Sequence, residues 1–339
     1  MYLYNDPPIW EAYIECAKKF DIDSVMDGYF PLSFPEKQDQ DAASRCETAI
    51  VFRDKERIVT QHYFKENGKI RWNPLVDVYY VADPPSHGVS PEKAGLPSIP
   101  KKWEPLEGVK PVDLGPSGLK KIKELMGDQG LVGVFVTSTA ALHNEEEIFN
   151  YYDKPEEHEE WAANRLSQAE ARFDKIMALD VKPDFLCVGG SGTLVFQTPE
   201  IFRQLAFPAV RRIIERAAAA GIPTHVHSCG PEKELVRILA EETKLTMIDP
   251  LEIPPMGDCE LAELKRLYGH KIVLKGNLHT TNVMLRGRPA DVAAAARKAI
   301  DEAASGGRFI LSTGDQCGRD TPFENLEALV ETARTYGRY

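Results

Sequence analysis

Residues 224–230, THVHSCG, and 245–252, LTMIDPLE, decide the fold. Each is a short apolar, partly β-branched run that stops at polar or turn-forming residues, and each leads into a helical pattern. A helix is expected from about Pro231 after the first, and Leu261, Leu264 and Leu267 repeat at helical spacing after the second. The same unit recurs on both sides. Upstream, DFLCVGG (184–190) precedes Phe202, Leu205, Ala209 and Ile213. Downstream, KIVLKGN (271–277) precedes Val292, Ala295, Ala296, Ala299 and Ala303, and FILSTGD (309–315) precedes Phe323, Leu326, Val330 and Ala333. Strands alternating with helices through short links imply parallel sheet made of right-handed βαβ units. GLVGVFVTST (130–139) is a further strand, and DSVMDGY (23–29), after an N-terminal helix, is another. Seven strands are therefore placed and an eighth is not. The expected fold is α/β, a (β/α)8 TIM barrel, with a doubly wound open sheet as the alternative. No glycine-rich fingerprint follows the first strand, which counts against a dinucleotide-binding open sheet.

A different pattern interrupts the units at about 48–115. TAIVFRD and RIVTQHYFKENGKIRWNPL read as antiparallel strands, with Glu66, Asn67 and Gly68 at a hairpin turn. Residues 84–111 hold seven of the 24 prolines and are expected as an extended surface loop. The whole chain, 1–339, reads as one barrel domain carrying this inserted hairpin and Pro-rich loop. A long helix or helix pair over about 144–179 turns Ala162, Leu166, Ala169, Phe173 and Ile176 inward. Its acidic run (Glu156, Glu157, Glu159, Glu160) reads as a solvated helix start.

Composition excludes several classes of function. The 339 residues carry a net charge of −11, so a domain-wide basic surface for nucleic acid or an anionic membrane is not expected. No apolar run approaches the roughly 20 residues that span a bilayer, and MYLYNDPPIW lacks the pattern of a secretory signal. A cytoplasmic protein is expected. Six scattered cysteines do not make a disulfide framework, so a special cysteine here is a metal ligand or a nucleophile.

The chemically unusual residues fall at strand ends, where a (β/α)8 barrel places its active site. Side chains alternate along a strand, so His225, His227 and Cys229 share a face. A His-x-Cys pair is by itself more often packed core or an isolated thiol than a pair of zinc donors, though it suits either. A further donor has to come from another strand end, where Cys317 and Glu252 have suitable chemistry. Gly189 and Gly190 either admit a ligand close to the backbone or allow a tight turn. Asn277 and His279 either hydrogen-bond a substrate or orient a metal ligand, or else cap their loop, and His225 either supports a ligand or substrate or is satisfied packing.

HSCG after a strand, Gly276-Asn277, and the tail TGDQCGRDTPFENLEALVETARTYGRY resemble the superfamily of uroporphyrinogen decarboxylase and the corrinoid-linked cobamide methyltransferases. The resemblance covers about 183–339, with a weaker echo at GVFVTST. It implies a (β/α)8 barrel and, in the methyltransferase branch, zinc held by His227, Cys229 and Cys317. The similarly built cobalamin-independent methionine synthases imply Glu252 as a fourth ligand; Asp315 is the other carboxylate considered for that place. The arginine-rich segment that holds carboxylates in the decarboxylases has no counterpart in YFPLSFPEKQDQDAASR, where only Arg45 is basic beyond one lysine. The GDQCG tail resembles that of methyltransferases acting on a methylated substrate. The resemblance thus implies a zinc methyltransferase that exchanges a methyl group between a small substrate and the corrinoid (cobalamin) of a partner protein. A methoxy compound is favoured over a thiol as that substrate. Glu252, Asn277 and His225 are the expected catalytic residues, and Gly189, Gly190 and His279 the expected cofactor contacts. The alternatives are a metal-free decarboxylase of the uroporphyrinogen type and a non-catalytic ligand-binding barrel.

Overall fold

The computed structural model describes residues 9–26, 32–34, 45–66, 69–81, 86–96, 114–142, 144–318 and 320–337. Two compact units emerge, residues 1–12 with 33–115 and residues 13–32 with 116–339.

Helix α1 (Ile9–Lys19) leads to the first parallel strand, β1 (Ser24–Met26). The expected antiparallel insertion follows as β2 (Arg45–Arg53), β3 (Arg57–Glu66), β4 (Lys69–Tyr80) and β5 (Ser86–Val89), paired in that order. Glu66 faces Lys69 across the β3–β4 pair, so the hairpin stands where expected, while Asn67 and Gly68 lie outside the described residues. Alternation puts Val76 and Val78 on one face of β4, opposite Val59, and Ala94 and Leu96 join them in a small core. Part of the expected Pro-rich loop is a strand. Ser86–Val89 pairs with Val76 and Val78, because pairing with an existing sheet overrides weak local propensity. Residues 97–113 of that loop lie outside the described residues.

The chain then runs through α2 (Gly118–Met126), β6 (Leu131–Phe135), α3 (Glu145–Asp153), α4 (His158–Met177) and β7 (Phe185–Cys187). Short helices α5 (Thr193–Phe196) and α6 (Pro199–Ile201) and a π turn precede α7 (Phe207–Ala219). The remainder is β8 (Thr224–His227), α8 (Lys233–Glu242), β9 (Met247–Asp249), α9 (Leu261–Tyr268), β10 (Val273–Leu278), α10 (Pro289–Ala303), β11 (Phe309–Thr313) and α11 (Phe323–Tyr336). The seven expected strands form one parallel sheet in the order β1-β6-β7-β8-β9-β10-β11. This is the (β/α)8 architecture, with seven of its strands among the described residues. At the other end of the chain, α11 returns to the segment before β1: Phe323 packs edge-on against Phe20 at 5.1 Å and Arg334 pairs with Asp21.

Helix faces follow the sequence pattern. Phe202, Leu205, Ala209 and Ile213 are all buried, as are Val292, Ala296, Ala299 and Ala303. Each large apolar side chain so buried contributes about 1.5–3 kcal/mol. The expected helix pair at 144–179 is α3 and α4, and the Asn144 side chain caps α3 by accepting from Glu147 N–H at 2.9 Å. In α11 the buried residues are Asn325 and Thr332, whereas Phe323 is exposed. Asn325 Nδ2 donates to the carbonyls of Met284 and Gly287, which ties the start of the helix to the turn after β10, while Leu326, Val330 and Ala333 of the expected stripe are half-buried.

Candidate metal centre

Register fixes the chemistry of the sheet interior. Phe135 pairs with Cys187, Cys187 with His225, and His227 with Asp249, so these side chains point the same way. Phe185 lies edge-on to His225, with ring centres 5.9 Å apart. Beyond the last residue of β8, Cys229 continues the alternation. Asp315 stands at the same offset beyond β11, two residues after Thr313. Among the described residues, His227, Cys229 and Asp315 form a group of potential metal donors whose ligand atoms all lie within 4.8 Å of one another. All three are half-buried.

Asp249 organises this group from behind. It is buried, and its Oδ1 accepts from His225 Nε2 at 2.8 Å and from His227 Nδ1 at 2.9 Å. Its Oδ2 pairs with Lys275 Nζ. Burial opposes the charge of Asp249, but His225, His227 and Lys275 outweigh it and hold the carboxyl well below the usual range. The bond to Nδ1 fixes the ring of His227 and turns Nε2 outward, 3.8 Å from Asp315 Oδ1. Two donors each about 2.1 Å from a tetrahedral zinc lie about 3.4 Å apart, so this spacing needs only a small closure. Burial also opposes charge on His227, yet Asp249, Cys229 and Asp315 push its imidazole up to about 10. Imidazole nitrogen, thiolate and carboxylate are all zinc donors, and three protein ligands with an exchangeable fourth position is the pattern of a catalytic zinc site. The donor set fits a zinc ion.

The other expected site residues have different neighbours. Cys317 completes no such donor group among the described residues; burial pushes its thiol up, and the Thr313 and Thr321 hydroxyls beside it pull the other way. Two more residues along the loop take it past the turn in which Thr313 Oγ1 donates to the Asp315 carbonyl. Glu252 also completes no such group. It is buried, and its Oε2 accepts from Gly230 N–H at 2.8 Å, which fixes the backbone immediately after Cys229. Asn277 Nδ2 donates to the Leu251 carbonyl at 2.9 Å, tying β10 to the loop after β9. His279 caps the turn that follows β10, its Nδ1 accepting from Thr281 and Asn282 N–H. A Cβ on Gly189 would stand 2.2 Å from His227 N, and one on Gly190 would stand 2.0 Å from Ser138 Oγ. Gly189 thus stands against the backbone of His227, and Gly190 against the Ser138 side chain.

Asp249, Lys275 and Glu232 were not assigned from sequence. The first two had a signal, since each is a charged residue within an apolar strand run. Glu232 had none. It is buried, its Oε2 accepts from Leu251 N–H at 3.4 Å, and burial together with the charge of Asp249 raises its pKa well above 4.5. Burial beside Asp249 thus makes its negative charge hard to hold.

The family model "Uroporphyrinogen decarboxylase (URO-D)" matches residues 155–336, more than half of the chain. Methylcobamide:CoM methyltransferase MtbA of Methanosarcina mazei is 25% identical over 165 residues, 48% of this chain and 42% of that protein. Its counterpart from Methanosarcina acetivorans is 24% identical over 163 residues, with the same two coverages. The matched stretch therefore spans less than half the length of these relatives. Among solved structures, a methyltransferase from Methanosarcina mazei superposes with a TM-score of 0.51 at 17% identity, covering 97% of this chain and 85% of that one. A putative vitamin-B12 independent methionine synthase from Listeria monocytogenes gives 0.50 at 13% identity, covering 96% and 84%. These two likenesses bear on the fold. No helix among the described residues is long and apolar enough to cross a membrane. From the matched family model, the chain belongs to the uroporphyrinogen decarboxylase (URO-D) family.

Proposed function

We propose that this chain is a zinc-dependent methyltransferase that exchanges a methyl group between a small substrate and a corrinoid carried by a partner protein. The observation that carries the reading is the convergence of His227, Cys229 and Asp315 at the ends of β8 and β11, with His227 held by Asp249. The similarity to methylcobamide:CoM methyltransferases supports the same reaction class. When bound, zinc supplies Lewis acidity at the substrate heteroatom that gives up or receives the methyl group.

The chain's own residues prepare that position. Asp249 holds the His227 ring so that Nε2 faces the donors, and Lys275 balances the buried carboxylate. Glu252 fixes Gly230 and so keeps the Cys229 loop in place. Val195 and Phe196, which follow β7, and Met256, which follows β9, are exposed, and Val195 packs close to Gly230. They offer an apolar rim suited to a flat macrocycle presented by a partner. A methoxy compound is the favoured methyl donor, with a thiol acceptor as the other direction of the same exchange.

The test mixes zinc-loaded chain with cob(I)alamin or a corrinoid protein and a panel of methoxyaromatics, methanol, methylamines and methyl thioethers. Methyl-cobalt formation is followed by absorbance, and the reverse reaction is run with thiols. Formation with at least one substrate, abolished by chelation and restored by zinc, is expected. Inactivity across the panel in protein containing stoichiometric zinc counts against the reading.

A further inference from the structure

Cys229 stands in the link between β8, which ends at His227, and α8, which begins at Lys233. That link is neither helix nor strand, so hydrogen bonds to its surroundings have to set its place. The residues on either side of the thiol are both tied. Ser228 N–H donates to the Asp249 carbonyl at 2.9 Å, and Gly230 N–H to Glu252 Oε2 at 2.8 Å. Two residues on, the direction reverses: Glu232 Oε2 accepts from Leu251 N–H at 3.4 Å. Each glutamate thus takes a main-chain N–H of the other's link, Glu252 from the link after β8 and Glu232 from the link after β9.

Leu251 connects the two bonds. Its φ of 57° lies in the left-handed region, which a leucine keeps only where its surroundings hold it there. They do so on both sides of the residue, since Glu232 takes its N–H and Asn277 Nδ2 donates to its carbonyl at 2.9 Å. Glu252 follows directly, so the turn at Leu251 decides where the carboxyl that holds Gly230 stands. Glu232 itself is 1% exposed, and its Oε1 has no hydrogen-bond partner among the described residues. A buried, half-satisfied carboxyl costs stability, and an apolar side chain of similar size would pack there at less cost. Folding stability alone does not account for an acid at this position.

Resting on the reading of His227, Cys229 and Asp315 as zinc donors, we propose that Glu232 is a positioning residue for the metal centre. By holding Leu251 in its left-handed conformation it aims Glu252 at Gly230, and so sets where the Cys229 thiol stands. Glu232 touches neither metal nor substrate in this role; it acts through Leu251 and Glu252.

The experiment compares Glu232→Gln, which keeps an acceptor oxygen for Leu251 N–H, with Glu232→Ala, which does not. Val236→Ala, at a buried position of α8, controls for lost packing. Residue-resolved hydrogen exchange on the metal-free whole chain reads the brace, and competition with a chromogenic chelator reads zinc. Glu232→Ala should speed exchange at both Leu251 and Gly230 by about tenfold or more and weaken zinc by about 10–100-fold. Glu232→Gln and Val236→Ala should each stay within about threefold of the unaltered chain in both readings. Faster exchange at Leu251 with Gly230 unchanged would make the two bonds independent and overturns the proposal. So does an equal loss in Glu232→Gln, which would leave only the charge, or in Val236→Ala, which would leave only packing. An unaltered chain that binds no stoichiometric zinc overturns the donor reading and the proposal with it, whereas failure of the exchange pattern overturns the proposal alone. If Glu232→Ala does not fold, the unaltered chain still decides: Leu251 and Gly230 should share one denaturant dependence of exchange, and separate openings would rule out the brace.

Discussion

The parallel strands of the barrel unit are three to six residues long, whereas those of the antiparallel sheet run from four to twelve. Both regions bring histidine and aspartate together. On the antiparallel sheet, His62 Nε2 and His87 Nδ1 each lie 3.5 Å from a different oxygen of Asp77, and both rings are exposed. In the barrel, His225 and His227 share one oxygen of Asp249 at 2.8 and 2.9 Å, and Asp249 is buried. Exposed pairs are screened by water and hold little geometry. Buried ones must be compensated, and the compensation from Lys275 fixes where every partner points. Short parallel strands also release their chains into loops at one end, so donors from strands distant in sequence converge there. Proximity of ligand-type residues is therefore not enough; burial and convergence make a centre.

The largest test of this contrast removes donors. Cys229→Ala and Asp315→Ala should each weaken zinc by on the order of 100-fold or more, one donor's share of a binding free energy of about 10–16 kcal/mol. His62→Ala and His87→Ala should leave zinc content unchanged by elemental analysis. Metal following His62 would reverse the comparison.

Next in size, Asp249→Asn should cost about 10–100-fold in zinc affinity through loss of the charge that orients His227. Competition with a chromogenic chelator measures it. Wild-type affinity in this variant would mean that the buried network is packing alone. Val78→Ala, in the core of the antiparallel sheet, should lower stability by about 1–3 kcal/mol in a denaturant melt and leave zinc affinity untouched.

Glu232 sharpens the comparison through pH. Its folded pKa is raised, so the folded chain holds that proton more tightly than the unfolded chain. Its contribution to stability is fullest below the unfolded value near 4.5 and declines as pH rises above it. Glu232→Gln should remove this part of the decline, and stability curves measured from pH 4 to 8 should be flatter than those of the unaltered chain. An equal slope would show that the folded chain does not hold the Glu232 proton more tightly than the unfolded chain.

Much of this was legible in the amino-acid pattern, for physical reasons. A parallel strand buried on both faces must be apolar, so MID, FLC and VLKGNL stand out between amphipathic helices, and their ends locate the chemistry. His227 and Cys229 follow from period-two alternation. The strand Ser86–Val89 was not legible, because SHGV sits among prolines and owes its conformation to β4. Asp249 and Lys275 were visible as charges in apolar runs, but their partnership depends on register between strands.

The smallest expected effect is the most discriminating. Donor chemistry alone favours Cys317, since a second thiolate suits zinc better than a carboxylate. Position favours Asp315: like Cys229, it lies two residues past the end of its strand, where the chain still follows the barrel wall. Cys317 lies two residues farther on, with Thr313 and Thr321 beside its sulfur. Cys317→Ser should therefore leave zinc stoichiometry unchanged and shift affinity by less than about threefold, a difference below about 1 kcal/mol. Asp315→Ala run beside it should lose the metal. The opposite pattern, metal lost with Cys317 and kept without Asp315, would require the loop after β11 to rearrange on metal binding, and would return the thiol to the donor set that chemistry alone selects.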